Sequence, residues 1–134
     1  MEKFTSEKKI SPELSSDFIE KSREYLEMTR KHQSYFMEFN MAIINGLDSK
    51  RGSFTYEILN NGPDFIKGEL MNAEYKTPPT DTELKVLQYL FDNIDLIESK
   101  SIHNELNDLP MRPRLIKIAE IAKQDAEEIL DIVK

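Results

Sequence analysis

The chain contains no cysteine and no tryptophan, and only four glycines in 134 residues. Without cysteine there are no disulfides, no thiolate nucleophile, no cysteine zinc site and no cysteine-ligated iron–sulfur cluster. Such a composition suits a reducing compartment, and a cytoplasmic location is expected. The glycines, Gly46, Gly52, Gly62 and Gly68, sit singly. Isolated glycines build neither a Walker loop nor a Gly-x-Gly-x-x-Gly phosphate cradle, and no Gly-x-Ser-x-Gly nucleophile elbow occurs. Long apolar runs are missing too. The longest, Met41-Ala42-Ile43-Ile44, is far short of the roughly 20 residues of a membrane span. The first nine residues, Met1-Glu2-Lys3-Phe4-Thr5-Ser6-Glu7-Lys8-Lys9, lack the apolar centre of a secretory signal.

Charge is plentiful. There are 25 acidic and 18 basic residues, for a net charge of −7. The excess is spread evenly along the chain, which disfavours non-specific nucleic-acid binding. It is too mixed to mimic DNA, which needs an unbroken acidic face. Abundant Lys, Glu, Asp, Asn and Ile with few glycines point to helices with solvated outer faces. Length and composition predict one all-α domain over 1–134, a bundle of four to six helices. Residues 1–10 read as a flexible lead-in and 76–81 as an internal connection.

Helical spacing dominates the first third. Ser11-Pro12-Glu13 opens a helix with a capping serine, a proline in the first turn and an acid near the positive dipole end. Leu14, Phe18, Tyr25, Phe36, Phe39, Ile43 and Leu47 then recur at steps of three and four, with Ser22, Thr29 and His32 filling the gaps. Asn45-Gly46 supplies a stop, with glycine suited to a left-handed cap. The spacing thus predicts one long N-terminal helix, about 12–47 and about 50 Å long. Its second half, Tyr35 to Leu47, is apolar almost all round and reads as core. Its first half carries a narrow stripe and should project or pack along a partner.

Further on, 53–60 fits either a short strand or a short helix. No second strand exists for it to pair with, so a helix is predicted. Gly62-Pro63-Asp64 opens a helix to about Tyr75. Lys76-Thr77-Pro78-Pro79 breaks the chain, and Thr80 with Glu83 forms a capping-box pattern. The following helix should end near Glu98. A short helix is expected from Ser101 to Asn107, and a final helix from Pro113.

Three readings compete. Glu20, Glu24 and Glu27 recur at helical spacing ahead of His32, which would suit a metal-dependent helical enzyme. Lys21, Arg23, Arg30 and Lys31 interleave with these acids, the pattern of a salt-bridged solvated face. No metal site and no cofactor is expected. His32 lies on the apolar stripe and reads as partly buried and hydrogen-bonded; His103 stands alone. The rhythm of 82–124 is loosely similar to a helix-turn-helix, in which Arg112, Arg114 and Lys117 would meet DNA. Its connection, Asp108-Leu109-Pro110-Met111, has no glycine turn, and its last helix runs on into an acidic stretch. The third is an interaction surface. Leu14, Phe18, Tyr25 and Met28 form a stripe that a short chain would struggle to cover, and uncovered apolar stripes mark interfaces. The expectation is a non-enzymatic regulator or inhibitor that binds another protein through these residues, as a homodimer.

Overall fold

The computed structural model describes residues 16–61, 79–104 and 106–133. Among them are six helices and no strand, an all-α bundle as expected. They are α1 (Ser16–Lys31), α2 (Gln33–Gly46), α3 (Phe54–Asn61), α4 (Asp81–Asp92), α5 (Ile94–His103) and α6 (Met111–Val133). The helix expected over Gly62–Tyr75 lies outside the described residues.

The predicted long N-terminal helix is two helices that meet at His32. His32 leaves helical geometry (φ −123°, ψ 55°). The bend is sharp. In a straight helix Tyr25 and Asn40 would stand about 22 Å apart. Here the Tyr25 hydroxyl donates to Asn40 Oδ1 at 2.5 Å. The Tyr25 and Phe36 rings also meet edge-on, 5.9 Å between centroids. Neither contact is open to an unbent rod. His32 Nε2 lies 3.2 Å from Glu98 Oε2 on α5, which places the corner against that helix. The reading of His32 as partly buried and hydrogen-bonded therefore holds.

The bend lets each half find its own cover. α1 packs on α4 and α5, whereas α2 lies along α6 and also touches α3. Phe18 meets Phe91 of α4 edge-on at 5.0 Å, and Lys21 Nζ reaches Asp92 Oδ1 at 3.1 Å. At the start of α2 Tyr35 stacks on Phe39, and Phe36 meets both rings edge-on. Together with Tyr25, Ile43, Phe54, Ile58, Leu87, Leu90 and Phe91 they form the centre of the core. Not all of α2 is enclosed: Met37 is 65 % and Met41 38 % exposed, against the expectation of a helix buried on every face.

The caps explain where helices stop. α2 does not end on a left-handed Gly46. Gly46 is helical, and a Cβ there would run into the Leu130 side chain of α6, so its smallness serves a close helix approach. The left-handed residue is Asp48 (φ 54°). The Ser49 N–H bonds to Ile44 O and the Asp48 N–H to Asn45 O, the paired bonds of a Schellman cap. Thr80 and Glu83 form the predicted capping box of α4: the Glu83 N–H donates to Thr80 Oγ1 and the Thr80 N–H to Glu83 Oε1. The second oxygen of Glu83 accepts from Ser49 Oγ at 2.5 Å, which ties this cap to the end of α2.

The segment after Thr80 differs from expectation. Its helix breaks at Asn93 rather than running to Glu98, and α5 crosses the junction where a new short helix was expected. No helix covers Asn104 to Asn107 among the described residues. The short α3 is present as predicted.

Candidate interaction surface

The residues expected to face a partner do not. Phe18, Tyr25 and Met28 are 6, 0 and 3 % exposed, each inside the core of one chain. The sharp corner at His32 covers them, because α1 lies on α4 and α5 instead of projecting. Leu14 lies outside the described residues. Glu20, Glu24 and Glu27 are exposed along α1, and Glu20 pairs with Arg23 at 3.6 Å. Among the described residues no group of three His, Asp or Glu could hold a metal ion, and no helix is long and apolar enough to cross a membrane.

The helix-turn-helix segment is rearranged, because its expected middle helix is absent. Its cations are nonetheless accessible. Arg112 and Lys117 are exposed and Arg114 is half-buried, all in the first two turns of α6. That end of α6 has the most unusual surface of the described chain. α6 is 23 residues, about 34 Å, whereas α2 is 14 residues, about 21 Å. The core-facing residues Ile118, Ala122, Asp125, Ala126 and Ile129 are all buried. Stepping back from Ile118 by three and then four residues reaches Leu115 and Met111, on the same face. These two are 42 and 65 % exposed. The core stripe of α6 therefore runs on for two turns after its cover stops. Leu109 and Ile116 add further exposed apolar surface, 40 and 55 %.

Charge on α6 is segregated. Arg112, Arg114, Lys117 and Lys123 precede it with Glu120 as the one acid, while Asp125, Glu127, Glu128 and Asp131 follow. The acid on the core face is accounted for. Asp125 Oδ2 accepts from the Tyr35 hydroxyl at 2.5 Å, and Lys100 Nζ of α5 lies 4.0 Å from Oδ1. Burial pushes the Tyr35 hydroxyl far above the ordinary tyrosine range, and its bond to Asp125 adds to that. The cluster joins α2, α5 and α6, so it is a structural tie.

Two open cavities complete the surface. One, about 230 Å³, lies between α2 and the end of α3, with Met37, Met41, Phe36 and Leu59 as apolar wall and Arg30, Gln33 and Thr29 at the edge. The other, about 380 Å³, lies over Phe91 between α1 and the α4–α5 junction, with Lys21, Glu24, Asp92 and Asp95 around it. Its lysine is engaged with Asp92, and that hydrogen bond holds the Asp92 carboxyl below the usual carboxylate range. The first cavity is lined by no carboxylate, and the lysine of the second is held in its ion pair with Asp92. No protein-family model, no curated protein and no solved structure matches this chain.

Only part of this surface was visible in the sequence. The cations Arg112, Arg114 and Lys117 were singled out, but as DNA contacts. The apolar stripe from Leu115 onward is legible in the final helix, but a helix starting at Pro113 leaves Met111 off it, whereas α6 begins at Met111.

Proposed function

We propose that this chain is a regulator that acts by binding another protein, and that the first two turns of α6 are its docking surface. One observation carries this: the core stripe of α6 continues uncovered through Leu115 and Met111, flanked by Arg112 and Arg114. Apolar side chains in water at a helix end cost free energy unless something covers them, and a stripe aligned with an existing core face accepts a helix readily. The expected homodimer through α1 loses its support, because Phe18, Tyr25 and Met28 are already packed. Regulation or inhibition through a protein partner, with no chemistry of its own, remains the role that this surface favours.

The test is the double variant Met111→Glu/Leu115→Glu. An acid at Met111, in the first helical turn, is favourable to the dipole, and neither Met111 nor Leu115 is buried. The variant should melt within about 2 °C of the parent, as ordinary surface substitutions do. It should also lose a partner that the parent retains from extract of the source cells. A large fall in melting temperature would show the stripe to be internally packed, and an unchanged set of retained proteins would end the proposal.

A further inference from the structure

We infer that the partner at this surface is an amphipathic helix of a different protein with acidic residues on both edges of its apolar ridge, and not a second copy of this chain. The inference rests on the binding role proposed above. In heptad terms, Leu115, Ala122 and Ile129 occupy a, and Met111, Ile118 and Asp125 occupy d, with alternating steps of four and three. The flanking e and g positions change character along α6. Inside the bundle e is Ala119 and Ala126 and g is Ile121, which widens the buried face for packing against several helices, before the exposed Glu128 returns a charge to the g edge. In the uncovered turns they are Arg112 at e and Arg114 at g. A two-position apolar seam with a charge on each edge is the layout of a two-helix contact, and the edge charges choose the partner.

Both edges carry the same sign, which decides against self-pairing. A parallel second copy would drive the rest of its α6 into the bundle, so self-pairing would have to be antiparallel. Antiparallel seams set e against e and g against g. Arg112 would face Arg112 and Arg114 would face Arg114, with Lys117 adding to the repulsion. A ridge edged with Asp or Glu instead meets a cation on each side. The rest of this acidic chain repels such a partner elsewhere, so the cationic end also orients the approach.

The test uses the full chain and two synthetic peptides of about three heptads, with Ile at a and Leu at d. One has Glu at every e and g, its twin Lys. The Glu peptide should shift the backbone amide resonances of 109–117 on titration, and the Lys twin should bind roughly tenfold more weakly. Arg112→Glu/Arg114→Glu should reverse that preference. The parent chain should sediment as a monomer at low salt. Equal affinity for both peptides, shifts confined to other helices, or a parent dimer broken by Met111→Glu/Leu115→Glu would each overturn the inference. So would a DNA duplex that displaces the Glu peptide. If the Glu peptide fails while Met111→Glu/Leu115→Glu still loses its partner from extract, only this inference falls. If that variant also keeps its partners, the docking surface falls with it.

Discussion

Asp48 sits in the left-handed region to close the cap of α2, a conformation that an L-residue with a Cβ adopts at a cost of order 1 kcal/mol. It also places a negative charge at the negative end of the helix dipole. Glycine removes both penalties. Asp48→Gly should therefore stabilise the protein by about 0.5–1 kcal/mol, read from denaturant midpoints at unchanged slope. A destabilised variant would mean that the Asp48 carboxylate makes a contact worth more than its strain. Tyr25 and Tyr35 give the residue scale a pH signature. Burial raises both hydroxyls above the ordinary value near 10. An acid whose folded value is raised keeps its proton in the native state while the unfolded chain releases it. Stability from this source is whole below pH of about 10 and falls as pH rises beyond it. Alkaline titration should show the phenolate signal of these two rings appearing only with unfolding, and Tyr35→Phe should flatten the loss.

At the scale of elements, the corner at His32 decides which surfaces exist. The periodicity of residues 18–47 is genuine helical spacing, and it located α1 and α2 to within a few residues. It could not show the break, because His32 fits the three–four rhythm as a filler and no proline or glycine marks the site. The bend shows in the His32 dihedrals and in the contacts of Tyr25 with Asn40 and Phe36. A straight rod left its first half uncovered, and from that came the mistaken partner stripe. As a core residue, Phe18 packed on Phe91 should behave accordingly. Phe18→Ala should cost about 3–4 kcal/mol in unfolding free energy, measured by chemical denaturation. A loss under about 1 kcal/mol would put Phe18 back among surface candidates. The local signals fared better. The Thr80–Glu83 capping box and the short α3 were legible because neighbours in sequence make them. The uncovered end of α6 was not, since it depends on where α2 stops relative to α6.

For the whole molecule, charge and apolar surface have to be weighed together. The chain carries −7 overall, yet the first two turns of α6 hold three cations. The acidic partner proposed above would be drawn to that end over a distance set by screening. Raising the salt to about 1 M shrinks the screening length to about 3 Å and leaves apolar contact intact. Partner affinity should fall about tenfold between low and high salt while the melting temperature barely moves. An affinity indifferent to salt would remove the role of Arg112 and Arg114. The net charge is plain in the sequence, but a sum over the chain conceals one basic end.

The lengthwise packing of α2 on α6 has a kinetic consequence. It joins residues far apart in the chain: Tyr35 bonds to Asp125, 90 positions on. Most helical bundles are built from neighbours and fold within milliseconds, whereas distant partners meet only after a long loop has closed. On that ground the α2–α6 pair should form late in folding, and until it forms the apolar seam of Met111 and Leu115 continues into the α6 residues that α2 covers. A newly made chain would pass through a stage with that whole seam bare, a stage at which the partner's helix and the chain's own α2 compete for one face.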